Sequence, residues 1–240
     1  MDEIKSLAIW GDSILKGIVF DEQLQKYKGC DRCAADILAE SFPEINIKNN
    51  SRFGNIITKG RKLIERALAA GNKTDAAIIE FGGNDCDFNW QEVSAEYLRE
   101  HDPHTPFDIF VDQLREIVTL MRENGIQPII MNLPPISADR YFDWFCRDEG
   151  TEGDRVLHWL CEKQIIYRTQ ERYSHAADMV AKELDVPLLD IRTEFLGIRD
   201  YGNYLCADGI HLNEKGQQIL GETLAEKLGR MLRADTKPTA

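Results

Sequence analysis

Three side chains in this sequence are of the types that transfer an acyl group through a serine. Ser13 follows a short apolar run in SLAIWGDSILKG, while Asp208 and His211 lie near the carboxyl terminus in CADGIHLNEKG. A serine nucleophile needs a base that accepts its proton, and a histidine base needs a carboxylate that orients its ring. These residues are therefore candidates for nucleophile, base and orienting acid. Asp208 precedes His211 by three residues, so one helical turn would bring both side chains to the same side.

Acyl transfer also needs donors for the oxyanion of the tetrahedral intermediate. The side-chain amide of Asn84, in FGGNDCDF, and the backbone N–H groups of Gly54, in RFGNIITKG, and Ser13 are candidates. Each feature alone has an ordinary explanation, since Gly-Asp-Ser often caps a helix and an asparagine after glycines often turns the chain. Their joint occurrence, after successive apolar runs and in the terminal loop, favours the catalytic interpretation.

Other site chemistries have weaker support. Cys30 and Cys33 have CxxC spacing, but no second ligand pair follows at a spacing suited to zinc. The six cysteines are scattered, unlike the disulfide framework of a small secreted domain. The phosphate-binding motifs G-x-x-x-x-G-K-[ST] and G-x-G-x-x-G are absent, and no G-x-S-x-G surrounds Ser13. We therefore expect no metal site.

Strands and helices must position these residues, and the two periodicities alternate along the chain. Apolar runs predict strands at SLAIW, DAAIIEFGGND (ending in its glycines), QPIIMNLPPI and VPLLD, and the alternation of Ile45 and Ile47 predicts one at EINIKNN. Helical spacing marks DRCAADILAESF (with Asp31 as its cap), TKGRKLIERALAAG, PFDIFVDQLREIVTLMRENG, residues 167–184 and the segment from Glu214 onward. This order predicts an α/β protein, a three-layer α/β/α sandwich with a doubly wound parallel sheet of about five strands. Ligands bind beyond the carboxyl ends of such strands.

The length of 240 residues, 43% of them hydrophobic, suits one domain over residues 1–240, and no linker divides the chain. An aromatic-rich insertion at about residues 137–166 exceeds a minimal α/β unit. We expect a helical hairpin packed as extra core there, and a substrate lid or a dimer contact is the alternative.

The net charge of −12 argues against nucleic acid or an anionic membrane as the main partner, since both attract basic patches. The amino terminus, MDEIKSLAIW, resembles neither a secretory signal nor a membrane span. The sequence therefore predicts a cytoplasmic location, and it leaves a homo-oligomer open.

Taken together, the motifs resemble the SGNH hydrolases, also called GDSL esterases/lipases. IWGDSILKG is similar to their nucleophile block, RFGNIITKG to the glycine block, FGGNDCDF to the G-x-N-D block and DGIHLNEKG to the D-x-x-H block. The resemblance extends from Leu7 to about Leu232. It implies a flavodoxin-like sheet without metal or organic cofactor. It also implies a serine hydrolase with a catalytic triad of Ser13, Asp208 and His211 and an oxyanion hole of Ser13, Gly54 and Asn84.

We therefore expect a carboxylic ester hydrolase that forms an acyl-enzyme on short-chain acyl esters, with acetyl groups on carbohydrate favoured. A thioesterase or lysophospholipase of the same family is one alternative, and a non-catalytic flavodoxin-like ligand-binding module is another. The substrate partner would be a small-molecule or carbohydrate ester. Asp12, Trp90 and His104, close to the motifs in sequence, are candidates for contacts with that substrate.

Overall fold

The computed structural model describes residues 4–234, which contain a parallel sheet and a separate two-stranded hairpin. The strands of this part of the chain are β1 (Ser6–Trp10), β2 (Ile18–Asp21), β3 (Lys26–Gly29), β4 (Asn46–Asn49), β5 (Ala76–Ile79), β6 (Gln127–Met131) and β7 (Leu188–Leu189). The main sheet has the order β4-β1-β5-β6-β7, and every neighbouring pair is parallel. The predicted doubly wound sheet of five strands is confirmed.

Helices cover both faces of this sheet. They are α1 (Ser13–Lys16), α2 (Ala34–Ser41), α3 (Ile57–Ala69), α4 (Trp90–Ala95), α5 (Phe107–Glu123), α6 (Ala138–Phe145), α7 (Gly153–Leu160), α8 (Gln164–Glu183), α9 (Arg192–Gly197) and α10 (Glu214–Ala234), with a 3₁₀ turn at Tyr201–Tyr204. Helices α2 and α10 pack together on one face, and α3, α5 and α8 cover the other. None of the helices in residues 4–234 combines the length and the apolar character needed to cross a membrane.

Burial on both faces explains why the central strands are apolar throughout. In β1, Leu7 and Ile9 pack into the cluster beneath α2 and α10, whereas Ala8 and Trp10 pack beneath α3 and α5. Successive side chains of a strand point to opposite faces, so a strand with helices on both sides needs an apolar residue at every position. Sheet and helices thus form the predicted three-layer α/β/α sandwich.

Two local expectations were wrong. The residue that caps α2 is Cys33 rather than Asp31, and its backbone N–H donates to the carboxylate of Asp36 at 2.9 Å. A carboxylate at the third helical position reaches back to the first free N–H and removes the need for an earlier cap. The stretch after Gly17, where no strand was predicted, is the antiparallel hairpin β2–β3, which pairs Phe20 with Tyr27.

The insertion forms two helices that belong to a third apolar cluster, but these helices do not pack mainly on each other as a hairpin would. Helix α6 packs against α8, and α7 packs against α4. The ring of Phe145 stacks on Trp90 with centroids 4.3 Å apart and planes at 5°. Because the unpredicted helix α4 supplies Trp90, the aromatic residues of the insertion have a partner outside it as well as contacts among themselves.

Candidate active site

The candidate residues gather at the carboxyl end of the sheet, next to β1. Strand β1 pairs with β4 on one side and with β5 on the other, so the chain winds away from β1 in both directions. This switch in strand order opens a crevice above the strand ends. Ser13 follows β1, Gly54 follows β4 and Asn84 follows β5, while His211 lies in the loop before α10.

Ser13 begins the short helix α1 at the point where the strand ends. The carboxylate of Asp12 caps this helix and accepts the backbone N–H of Ile14 at 2.8 Å. Ser13 is only 5% exposed, and its Oγ lies 2.9 Å from Nε2 of His211. Both interpretations of Gly-Asp-Ser therefore apply. Asp12 caps the helix, and the hydroxyl of the next residue, Ser13, faces His211.

Asp208 and His211 are in direct contact. Nδ1 of His211 lies 2.6 Å from Oδ2 of Asp208, whose other oxygen accepts the backbone N–H groups of Ile210 and His211, both at 3.0 Å. Since a carboxylate only accepts hydrogen bonds, the proton of a neutral imidazole lies on Nδ1, and Nε2 is free to accept from Ser13. This is the tautomer that a general base needs.

A turn, not the expected helical turn, brings these two side chains together. Gly209 has φ +75°, and a Cβ there would lie 2.9 Å from the carbonyl oxygen of Ser137. The same Gly209 accepts the backbone N–H of Ser137 at 2.8 Å, which ties the turn to the start of α6. Only glycine combines this left-handed conformation with such a close approach.

The carboxyl of Asp208 is fully buried, yet its charged form is favoured. Burial opposes ionisation, but the hydrogen bonds and positive charge from His211 and the N–H of Ile210 outweigh it and hold the pKa of Asp208 below its ordinary value. Asp208 is thus suited to stabilise an imidazolium.

The candidate oxyanion donors Asn84 and Gly54 line an open cleft at this end of the sheet. Asn84, Gly54 and His211 share its wall, and Asn84 Nδ2 donates one hydrogen bond to Oδ2 of Asp12 at 3.1 Å. An amide nitrogen carries two N–H groups, so this bond orients the carboxamide and leaves a second donor. Gly54 adopts φ +65°, a backbone conformation that favours glycine, although a Cβ there would have open space.

A buried carboxyl that the sequence analysis did not single out lies behind the nucleophile turn. Glu80 is fully buried, and its Oε2 accepts the backbone N–H of Asp12 at 3.1 Å. Burial and the nearby charge of Asp12 raise the pKa of Glu80 well above its usual range. The signal in the sequence was an acid at the end of the apolar run DAAIIE.

Asp85, next to Asn84, has a structural role. Its carboxylate accepts the backbone N–H of Ile57 at the start of α3 (2.9 Å) and the hydroxyl of Thr105 (2.6 Å). Burial raises the pKa of Asp85 to about 6 despite these bonds. By linking the β5 loop to α3, Asp85 holds the segments that carry Asn84 and Gly54 in place.

Two spaces of different character meet at Asn84 and His211, and Ser13 borders the first of them. One is an apolar cavity lined by Leu133, Pro134, Ile136, Leu160, Ile165 and Ile166. The other is an open cleft with aromatic walls that include Tyr27, Phe53, Phe88, Trp90 and Trp144. The reacting group of an ester bound at Ser13 would therefore have an apolar space on one side and an aromatic, open one on the other.

The predicted substrate contacts lie at this site, in different settings. Trp90 borders both spaces, and its indole N–H donates to Asp87 at 3.0 Å. His104 lines the open cleft, where its Nδ1 is 3.0 Å from the carbonyl oxygen of Asn84. Asp12 borders the apolar cavity but is 1% exposed and bonded within the protein. The contact of all three with substrate stays a prediction.

Further polar groups at the cleft were not predicted. The hydroxyl of Tyr141 donates to Asp87 at 2.6 Å, and the hydroxyl of Tyr27 donates to Asp208 at 2.9 Å. Nothing in the sequence links Tyr27 to a residue 181 positions away. Within residues 4–234, no group of three or more His, Cys, Asp or Glu side chains could hold a metal ion.

Comparisons with known proteins agree with this fold and show the family. A model of the GDSL-like Lipase/Acylhydrolase family matches residues 9–219. A GDSL esterase/lipase of Oryza sativa subsp. japonica is 26% identical over 61% of this chain and 50% of its own length. The isoamyl acetate-hydrolyzing esterase of Saccharomyces cerevisiae is 24% identical over 93% of this chain and 85% of its own. A catalytic mutant of an acetylxylan esterase from Geobacillus stearothermophilus superposes with a TM-score of 0.64 at 20% identity, covering 94% of both chains.

The chain belongs to the GDSL-like Lipase/Acylhydrolase family, because the family model covers most of its length. This confirms the resemblance drawn from the four motifs. The match spans only half of the rice relative, and the likeness to the Geobacillus enzyme at 20% identity concerns the fold.

Proposed function

We propose that this protein is a serine ester hydrolase in which Ser13 is the nucleophile, His211 the general base and Asp208 the orienting acid. The observation that carries the proposal is the continuous hydrogen-bonded chain from Asp208 to His211 (2.6 Å) and on to Ser13 (2.9 Å), at the edge of a cleft. Membership of the GDSL-like Lipase/Acylhydrolase family supports it.

In the first half of the reaction, Ser13 Oγ attacks the ester carbonyl carbon while Nε2 of His211 accepts the hydroxyl proton. The resulting imidazolium is stabilised by Asp208, which stays ionised. When the tetrahedral intermediate collapses, the bond to the alcohol oxygen breaks and Nε2–H gives its proton to that oxygen. An acyl-enzyme on Ser13 and a free alcohol result.

The second half repeats these steps with water in place of the serine hydroxyl. Nε2 of His211 accepts a proton from water as the water oxygen attacks the acyl carbon. Collapse of this intermediate returns the proton to Ser13 Oγ and releases the carboxylic acid. In both halves the carbonyl oxygen becomes anionic, and the N–H groups of Ser13 and Gly54 and the side-chain amide of Asn84 are the proposed donors.

The two spaces that meet at Asn84 and His211 support a division of the substrate. We assign the acyl group to the apolar cavity and the alcohol to the aromatic cleft, where Trp144 and Phe53 offer faces for a sugar ring. Short acyl groups, with acetyl on carbohydrate favoured, are the proposed class. The name of the yeast relative refers to an acetate ester. The apolar walls at Leu133, Ile136 and Ile166 favour a longer acyl group as the second candidate, as in a thioesterase or a lysophospholipase.

A substrate screen tests both candidates. p-Nitrophenyl esters of increasing acyl length are compared with acetylated sugars and acyl thioesters, using Ser13→Ala as the inactive control. We expect hydrolysis of acetyl esters, and labelling of wild type but not of Ser13→Ala by a fluorophosphonate probe. No hydrolysis and no labelling would indicate a binding module. A preference that rises steadily with acyl length would favour the second candidate.

A further inference from the structure

The carboxylate of Asp208 receives a hydrogen bond from outside the three proposed catalytic residues. Its Oδ2 is shared by Nδ1 of His211 at 2.6 Å and by the hydroxyl of Tyr27 at 2.9 Å. Tyr27 lies on β3, in the hairpin that follows the nucleophile turn, and it is half-buried. Because Asp208 is hydrogen-bonded to His211, a phenol that donates to Asp208 also affects the basicity of His211.

The hairpin is fixed to the loop of Asp208 by contacts of its other strand. Phe20 on β2 is the cross-strand partner of Tyr27, and their rings pack edge to face with centroids 5.2 Å apart. The backbone N–H of Phe20 donates to the sulfur of Cys206, two residues before Asp208, at 3.3 Å. The ring of Phe20 also meets Trp144 of α6 edge to face at 4.6 Å. These contacts hold the hydroxyl of Tyr27 at the carboxylate.

The ring of Tyr27 also covers the imidazole. The centroid of the Tyr27 ring lies 5.0 Å from that of His211. Phe53 stacks on the same imidazole, with ring centroids 6.0 Å apart and ring planes at 18°. Tyr27 and Phe53 are themselves in contact at 5.3 Å. The aromatic pair shields the bond between His211 and Asp208 from water, which strengthens electrostatic interactions within it.

We propose that Tyr27 is a positioning residue for the ester hydrolysis proposed above, which orients Asp208 through its hydroxyl and lowers the basicity of His211. The inference rests on that proposed function. A donor to Oδ2 takes up part of the carboxylate's charge, so less of that charge stabilises the imidazolium. The same bond fixes the rotation of the carboxyl group and with it the direction of Nε2 towards Ser13.

Among the described residues, few other titratable groups face Tyr27, Asp208 and His211. Asp12, from the turn after β1, interacts electrostatically with His211, and Cys206 adjoins Asp208. Burial and the charge of Asp208 raise the pKa of Tyr27 above its ordinary value. Its hydroxyl therefore remains protonated, and a hydrogen-bond donor, around neutral pH.

Tyr27→Phe tests this role because it removes the hydroxyl and keeps the ring. The matched control is Tyr97→Phe, a half-buried tyrosine that packs on His158, away from the cleft. The imidazole of His211 is titrated by NMR in each protein, and kcat/KM for p-nitrophenyl acetate is measured against pH. In Tyr27→Phe we expect the pH midpoint of the His211 titration and the acid limb of the kcat/KM profile to move together to higher pH, by about half a unit. We expect kcat to fall by about threefold to tenfold with KM nearly unchanged, and no change in Tyr97→Phe.

An unchanged imidazole midpoint in folded Tyr27→Phe would overturn the proposal. A second variant carries 3-fluorotyrosine at position 27, whose hydroxyl is a stronger donor, and its midpoint should fall below that of wild type. A rise in this variant would contradict the proposal even where Tyr27→Phe does not fold. The NMR titration needs no substrate, so it distinguishes this inference from the proposed function. If the protein hydrolysed no ester but the midpoint of His211 still shifted in Tyr27→Phe, the proposed function and the catalytic effect of Tyr27 would be refuted. The effect of Tyr27 on the basicity of His211 would stand.

Discussion

At the scale of single residues, Asn84 joins the folding of the nucleophile turn to the proposed chemistry. One N–H of its carboxamide is held by Asp12 at 3.1 Å, and the amide lies on the cleft wall. In the ground state a substrate carbonyl is a weak acceptor, whereas the oxygen of the tetrahedral intermediate is anionic. The contribution of this donor therefore belongs to the transition state.

The first prediction follows from that difference. Asn84→Ala should lower kcat by about two to three orders of magnitude and leave KM nearly unchanged, the usual loss for one oxyanion donor. Steady-state kinetics on p-nitrophenyl acetate measure it, with Asn72→Ala, an exposed asparagine remote from the cleft, as the control. A raised KM with unchanged kcat would make Asn84 a substrate-binding residue instead.

Glu80 gives the second prediction, which concerns stability and pH. Its pKa is raised in the folded protein, mainly by burial, so the folded state holds a proton that the unfolded state releases above the ordinary glutamate range. The contribution of this group to the free energy of unfolding is therefore full at low pH. It declines as pH rises, by up to about 1.4 kcal/mol per pH unit, until the folded pKa is reached.

Glu80→Gln should remove this decline, because a neutral amide replaces the protonated acid and its oxygen can still accept the N–H of Asp12. Chemical denaturation from about pH 5 to about pH 8 should show a stability advantage over wild type that grows with pH. Glu123→Gln, at an exposed position, is the control. An advantage that is constant with pH would mean that Glu80 is ionised in the folded protein.

At the scale of elements, the helices and strands with long or continuous apolar patterns could be predicted from the sequence. Those that depend on tertiary contacts could not. Helix α5, with its buried stripe, and the all-apolar strand β5 are clear from periodicity alone. The hairpin β2–β3 was missed because its strands are four residues long, partly exposed and joined by a turn without glycine. Helix α4 follows a long irregular loop and is stabilised by the insertion, which lies some 50 residues later.

The same distinction applies to the site. The motifs identified Ser13, Asn84 and His211, because each follows a strand or lies in the terminal loop, and the structure brings them to the wall of the apolar cavity. The contacts of Tyr27 with Asp208 and of Tyr141 with Asp87 join separate elements. Such pairs depend on how hairpin and insertion pack, which no local pattern specifies.

The third prediction belongs to the elements that form the apolar cavity. Ile136 lies in the loop after β6 and borders the cavity together with Ile166 of α8. Ile136→Phe should narrow the space for the acyl chain, so kcat/KM for a p-nitrophenyl butyrate should fall at least about tenfold relative to the acetate. The ratio of the two values is the measurement, and Ile109→Phe, on the exposed side of α5, is the control. An unchanged ratio would remove the acyl group from this cavity.

At the scale of the whole molecule, the proposed nucleophile and base come from opposite ends of the chain. Ser13 and His211 are 198 residues apart, and their 2.9 Å contact exists only while β1 and the loop before α10 keep their positions. Helix α10 is held against α2 through Leu220, Leu224 and Leu228, which share a core cluster with Leu7 and Ile9 of β1. The site and the central core therefore depend on the same contacts.

The last prediction is that the site and the fold are lost together. Because the cluster around β1 holds both ends of the chain, no segment of the sheet can unfold and leave Ser13 and His211 in contact. In a urea titration, the loss of fluorophosphonate labelling at Ser13 and the loss of helical circular dichroism should have the same midpoint, as in a two-state transition. Tryptophan fluorescence adds a third probe, since Trp90 reports on the cluster of the insertion and Trp10 on the core beside the sheet. Labelling that vanishes at a lower urea concentration than the helical signal would show that the cleft opens as a separate unit, and a fluorescence change with the same early midpoint would assign that unit to the insertion.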